Sequence, residues 1–201
     1  MIGIINYGLG NVKAILNLYN YYKIKAKLIN SKNDLDLVEK LILPGVGSFD
    51  NAIKLFSFSG MRDEVEKFVL ERKMPILGIC VGMQILGLRS EEGNENGLNW
   101  INGKVKKINF RHQKLPLPHI GWNKINLTKN SKILKGLDNH YFYFLHSYVF
   151  DEYEKEDQIA TFEYQDKFTC AVNRNNIYGV QFHPEKSHNA GEQLLINFSK
   201  I

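Results

Sequence analysis

Gly78-Ile79-Cys80-Val81-Gly82 is the segment of this chain best suited to covalent chemistry. It follows the apolar run 76–79 and precedes residues 83–88, which read as a helix. Cys80 therefore falls where a strand turns into a helix. In such a G-x-C-x-G turn, the thiol counterpart of the G-x-S-x-G elbow, the central residue is held in a strained backbone conformation. The flanking glycines let neighbouring backbone pass without Cβ clashes. Free N–H groups at the start of a helix favour a thiolate, and the Val81 N–H is placed to donate to an oxyanion. A structural cysteine between incidental glycines would carry the same pattern, so the elbow alone does not decide. Cys170 sits mid-strand among Phe168, Ala171 and Val172 and reads as an inert core thiol.

A nucleophilic thiol needs a base, and the base needs an orienting group. Six histidines compete. His112 and His119 flank a proline-containing loop, His140 sits in a turn and His188 begins the last helix. His183 ends the strand 177–182 and is followed by Pro184 and Glu185. Pro184 disfavours helical geometry at His183 and keeps the segment extended. Residues two apart then share a face, so Glu185 is placed to steady the imidazole. An isolated H-x-E is common, and this one takes its weight from Cys80. Zinc deaminases also carry H-x-E, but they require P-C-x-x-C as well, which is absent, so no metal is expected. Gly8-Leu9-Gly10 opens like a dinucleotide fingerprint, yet Lys13 stands at the third glycine position. No cofactor is expected.

The elements around these residues read as α/β. Strand candidates Ile2–Ile5, Ala26–Ile29, 41–43 and 76–79 are continuously apolar, as in parallel strands covered on both faces. Val12, Ile15, Leu16, Tyr19 and Tyr22 recur at helical spacing between them, as do Met61, Val65, Phe68 and Val69. The β-α-β rhythm implies a doubly wound sheet. The second half is strand-rich, with candidates at 104–110, 124–127, 141–145, 158–162, 168–173 and 177–182, and a closing helix over 191–200. One domain, 1–201, with a mostly parallel mixed sheet flanked by helices accounts for the pattern.

The formal charge of +5 arises from 26 basic and 21 acidic residues spread along the chain. The densest basic group, 104–111, alternates with Val105, Ile108 and Phe110 as the wet side of a strand does, so nucleic acid is not an expected partner. No apolar run reaches the length of a membrane span. The first residues lack a basic leader and a long apolar stretch, so a cytoplasmic location is expected. Two cysteines are too few for a disulfide framework.

Taken together, Cys80, His183 and Glu185 resemble the triad of the class I glutamine amidotransferases, which carry a flavodoxin-like fold. The chain order Cys…His…Glu also separates them from α/β-hydrolases, whose acid precedes the histidine. Six blocks narrow the resemblance to the glutaminase subunits of imidazole glycerol phosphate synthases. They are Asn6-Tyr7-Gly8-Leu9-Gly10-Asn11, Leu43-Pro44-Gly45-Val46-Gly47-Ser48-Phe49, residues 78–84, Pro118-His119-Ile120-Gly121-Trp122-Asn123, His146-Ser147-Tyr148 and residues 179–187.

The resemblance implies that Cys80 attacks the carboxamide of L-glutamine to form a γ-glutamyl thioester, with His183 as acid and base and Glu185 as its orienter. It implies an oxyanion hole from Val81 and the Val46-Gly47 loop, and substrate contacts from Gly47, Gln84, Glu92, Ser147 and Tyr148. A glutaminase domain that fills the chain leaves the ammonia acceptor to a docked (β/α)8-barrel cyclase, with Tyr7, Asn11 and Lys186 at that interface. Trp122 reads as packing. Paralogues that feed ammonia to surface-glycan sugar enzymes share the triad. Gly87-Leu88-Arg89 and the polar stretch 96–102 depart from the usual pattern.

Overall fold

A computed structural model describes residues 1–111, 115–151 and 153–201. His112, expected beside the proline-containing loop, lies outside the described residues. In chain order the elements are β1 (Ile2–Ile5), α1 (Val12–Tyr21), β2 (Ala26–Ile29), β3 (Lys40–Gly45), α2 (Phe49–Phe58), α3 (Arg62–Leu70), β4 (Ile76–Cys80) and α4 (Val81–Gln84). There follow β5 (Arg89–Ser90), β6 (Lys104–Lys107), β7 (His119–Leu127), β8 (Tyr141–His146), β9 (Tyr148–Asp151), β10 (Gln158–Tyr164), β11 (Asp166–Arg174), β12 (Ile177–Val180) and α5 (His188–Ser199).

The central sheet has nine strands in the order β2-β1-β3-β4-β12-β11-β10-β7-β8. From β2 to β12 the neighbours run parallel, and from β12 to β8 they run antiparallel. The two sequence textures therefore meet at β12. The parallel strands are continuously apolar because helices cover both faces, and β1 and β4 are buried throughout. Strands β7 and β8 alternate buried and exposed residues, as strands with one wet face do.

Four expectations from the sequence change. The segment 104–110 contributes only β6, which joins β5 and β9 in a separate three-stranded sheet. The strand expected at 124–127 begins earlier, so His119 is a strand residue. Helix α2 lies where no helix was read. The helix after the elbow is a single turn, Val81–Gln84, not 83–88. Its successor turns back because Leu98 N bonds Ile85 O, and Trp100 and Ile101 both bond Leu86 O. Leu98, Trp100 and Ile101 are buried, so the stretch 96–102 is anchored in the core despite its asparagines.

The parallel half positions the chemistry. Strand β4 lies between β3 and β12, with Gly45 beside Cys80 and Gly179 beside Gly78. The loop after β3 and the segment after β12 therefore emerge on either side of Cys80, at the carboxyl ends of parallel strands.

Candidate active site

Cys80 adopts φ 56° and ψ −115°, a conformation that L-residues with a Cβ rarely hold. Glycine packing enforces it. A Cβ on Gly82 would stand 1.9 Å from the Leu43 carbonyl oxygen, and one on Gly78 would stand 2.6 Å from the Gly82 oxygen. Gly45 closes the cluster, since its Cβ would lie 2.6 Å from the Gly82 nitrogen. These three glycines let β3, β4 and α4 approach closely enough to force the turn. With only one helical turn behind it, Cys80 has less of a helix dipole than the sequence suggested.

His183 is held at both ends of its own backbone. Its N–H donates to Tyr143 O at 2.9 Å, and its carbonyl accepts from the Ser187 hydroxyl at 2.6 Å. Gly191 lets α5 pack onto this turn, because a Cβ there would meet Pro184 O at 1.8 Å. Pro184–Lys186 forms a 3-10 turn rather than an extended segment. The pairing survives this change. His183 Nδ1 lies 2.9 Å from Glu185 Oε1, with the two side chains 4% and 2% exposed.

The imidazole is also hydrogen-bonded to Cys80. Burial alone would lower the His183 pKa, but the hydrogen bonds to Cys80 and Glu185 and their charges outweigh it and raise it to about 10. His183 is therefore protonated at neutral pH and faces the sulfur as a charged donor.

A cavity of about 300 Å³ opens over Cys80. Val46, Gly47, Val81, Gln84, Glu92, Ser147, Tyr148 and His183 line it, together with Pro118, Leu145 and His146. Every residue expected to touch substrate thus borders one space of amino-acid size. Gly47 has φ 89°, a conformation glycine adopts freely, and no heavy atom lies within 4 Å of where its Cβ would stand. Glu92 carries a second task unseen in the sequence. Its Oε2 accepts the Phe49 N–H at 2.8 Å and caps α2 immediately after the Gly47 loop. Asp50 braces the same junction from the other side, accepting from Asn94 and Glu95 N–H groups, each at 3.0 Å.

Three expected partner contacts separate. Asn11 and Lys186 are exposed. Tyr7 is buried, its ring against Phe56 and its hydroxyl behind Gly45, so it is a core residue and offers a partner almost no surface. Trp122, read as packing, is instead 45% exposed and stacks on His188. Sequence reasoning passed over Gln181, a fully buried carboxamide beside Cys80. Its signal was available: it stands two residues before His183, and an extended chain turns residues so spaced to one side. Cys170 is buried, and burial pushes its thiol well up, as an inert core cysteine requires. Among the described residues no three His, Cys, Asp or Glu side chains group in a way that could hold a metal ion.

Comparison with known proteins assigns the chain to a family. Residues 4–201 match the glutamine amidotransferase class-I family. The chain is 49% identical to imidazole glycerol phosphate synthase subunit HisH of Leptospira borgpetersenii, over the whole of both chains. It is 45% identical to the HisH subunit of Bdellovibrio bacteriovorus and 42% identical to HisH 2 of Pseudomonas aeruginosa, again over the full length of each. Among solved structures, a glutamine amidotransferase superposes with a TM-score of 0.77 at 21% identity, covering 100% of this chain and 99% of that one. PurLQS from Thermotoga maritima gives 0.74 at 16% identity, covering 98% and 96%. These two attest the fold. With a relative nearly half identical from end to end and a family match reaching residue 201, the chain belongs to the class-I glutamine amidotransferases, among the HisH subunits of imidazole glycerol phosphate synthase.

Proposed function

We propose that this glutaminase subunit releases ammonia from L-glutamine through a Cys80 thioester and hands it to a docked (β/α)8-barrel cyclase in cytoplasmic histidine biosynthesis. One observation carries the chemistry: Cys80 is held at positive φ against His183, whose far nitrogen is fixed by Glu185. The Cys80 sulfur attacks the carboxamide carbon, and the carbonyl oxygen becomes an oxyanion held by the Val81 N–H and the Val46-Gly47 loop. His183 gives its proton to the departing nitrogen, so ammonia leaves and a γ-glutamyl thioester remains. His183 then takes a proton from water, hydroxide adds to the thioester, and glutamate departs as the sulfur is released.

Gln84 sharpens the substrate assignment. Both its N–H groups are engaged, one by Tyr148 O and one by Gln181 Oε1. It therefore offers the cavity only an acceptor, which suits the α-ammonium of glutamine rather than its carboxylate.

The partner reading rests on a surface beside the triad. Ile120 pairs with Leu145 and Trp122 with Tyr143 across β7 and β8. Ile120, Trp122, Tyr141 and Leu145 are exposed large apolar side chains. His188 stacks on Trp122 at 4.9 Å, and the Lys186 ammonium sits over the Tyr143 ring at 5.5 Å. An apolar patch that continues into the Pro184–Lys186 turn suits a partner that must both receive ammonia and influence His183.

Ammonia release is measured with and without the cyclase, and in a Cys80→Ala variant. Wild type stimulated by the cyclase, with an inert variant, supports the proposal. Stimulated turnover by Cys80→Ala contradicts it. Failure to rescue a histidine auxotroph that has a functional cyclase points to an acceptor in surface-glycan sugar modification.

A further inference from the structure

A chain of polar groups runs from β7, the strand beside the β8 edge of the sheet, inward to the Cys80 sulfur, and its direction is determined from both ends. At the far end, Asn123 Nδ2 donates to Glu163 O at 2.7 Å and lies 3.5 Å from His119 Nε2. His119 Nδ1 lies 3.3 Å from His146 Nε2, and His146 Nδ1 lies 2.9 Å from Tyr148 O. A carbonyl oxygen only accepts, so His146 carries its proton on Nδ1 and accepts at Nε2. His119 then carries its proton on Nδ1 and accepts from Asn123. Burial holds both rings neutral, lowering His119 to about 4 and His146 to about 3. Packing of His119 against Phe144, Phe162 and Tyr164 supplies that burial.

The same carbonyl orients the near end. Gln84 Nε2 donates to Tyr148 O at 3.2 Å and to Gln181 Oε1 at 3.0 Å. With its oxygen committed to Gln84, the Gln181 carboxamide must present nitrogen to Cys80, and Nε2 stands 3.7 Å from Sγ. Gln181 is fully buried, so it has no water to turn towards.

We propose that Gln181 is a further catalytic residue, a second N–H donor to the Cys80 sulfur, aimed by the relay anchored on the Tyr148 carbonyl. The proposal rests on the thioester route above. It answers a timing problem in that route. When His183 turns its proton to the leaving ammonia, and again when it draws a proton from water, it cannot also donate to sulfur. During thioester breakdown the C–S bond breaks and the electron pair returns to sulfur. Gln181 supplies the hydrogen bond that receives this charge until His183 can face the sulfur again.

The test is Gln181→Met, which keeps the side-chain length and removes the donor to sulfur, together with the oxygen that accepts from Gln84. With the cyclase present, kcat should fall roughly tenfold to a hundredfold, the range for a hydrogen bond to a charged group. KM for glutamine should fall with kcat, and kcat/KM should stay within about twofold of wild type, because a thioester that breaks down more slowly accumulates while its formation is unchanged. Acid-quenched samples should hold more γ-glutamyl thioester than wild type at steady state. Iodoacetamide should label Cys80 of the isolated chain more slowly than in wild type. Should the methionine variant not fold, Gln181→Asn, one methylene too short to reach the sulfur, carries the same expectations. Wild-type kcat, thioester level and labelling rate in a folded variant overturn the proposal and leave Gln181 as packing. A wild-type enzyme that forms no thioester overturns the route itself, whatever Gln181 does.

Discussion

His183 Nδ1 and Glu185 Oε1 stand 2.9 Å apart in a turn where both side chains are almost wholly buried. The carboxylate therefore acts on the imidazole with little solvent screening, and together with Cys80 it raises the histidine pKa to about 10. Glu185→Gln keeps the shape and removes the charge. The alkaline limb of kcat/KM, set near pH 10 in wild type by deprotonation of His183, should move to lower pH, and kcat should fall by roughly a hundredfold or more. The sign of the stability effect follows. A histidine whose folded pKa is raised above 6.5 contributes stability that is fully present below pH 6.5 and is lost as pH rises through about 10. Denaturant unfolding of wild type and Glu185→Gln should thus differ most below pH 6.5 and converge above pH 10.

The glycine cluster beneath Cys80 makes a steric prediction. Gly82→Ala places a methyl group 1.9 Å from the Leu43 carbonyl oxygen, against the backbone of β3. Separating β3 from α4 should destabilise the fold by about 3 kcal/mol or more. The same shift relaxes the positive φ at Cys80. Thermal unfolding should show the lowered midpoint, and labelling of Cys80 by a glutamine-mimicking electrophile should be slower even where the variant remains folded.

Glu92 tests whether the loop after β3 depends on its cap. Glu92→Ala frees the Phe49 N–H and the start of α2, which should lower stability by about 1 kcal/mol. Because the loop bordering the cavity ends at that junction, KM for glutamine should rise several-fold. Equilibrium unfolding and steady-state kinetics on the same preparation separate the two effects. An unchanged KM with lowered stability would confine Glu92 to capping.

Trp122 and Ile120 test the docking surface. Both are exposed, so Ile120→Asp and Trp122→Ala should leave the melting of the isolated chain nearly unchanged. Each should weaken binding of the cyclase by roughly tenfold or more if the patch is the centre of the interface. Titration calorimetry reads this directly, and unaltered binding by both variants would place the interface elsewhere.

Much of the site was legible because it is written in local rules. Gly78, Cys80 and Gly82 declare a turn that only small neighbours permit, and H-x-E places an acid within reach of a histidine. The parallel strands announce themselves as short apolar runs. What could not be read depends on contacts distant in sequence. The helix after Cys80 ends early because residues 98–101 return to bond its exit, and Tyr7 is buried because β3 and Phe56 close over it. Glu185 reaches His183 through a 3-10 turn rather than the extended segment that Pro184 suggested, since Ser187 and Tyr143 fix the chain there. Gln181 was overlooked because its meaning comes from Gln84 and Tyr148, residues 97 and 33 positions away.

The central claim is that Cys80 carries the γ-glutamyl group, and acid-quench mass spectrometry tests it most directly. The subunit is mixed with the cyclase and glutamine, quenched within the first turnovers and digested. The peptide containing Cys80 should carry a γ-glutamyl adduct in wild type and none in Cys80→Ala. Ammonia released at the full rate with Cys80 unmodified, or from the alanine variant, would contradict the account.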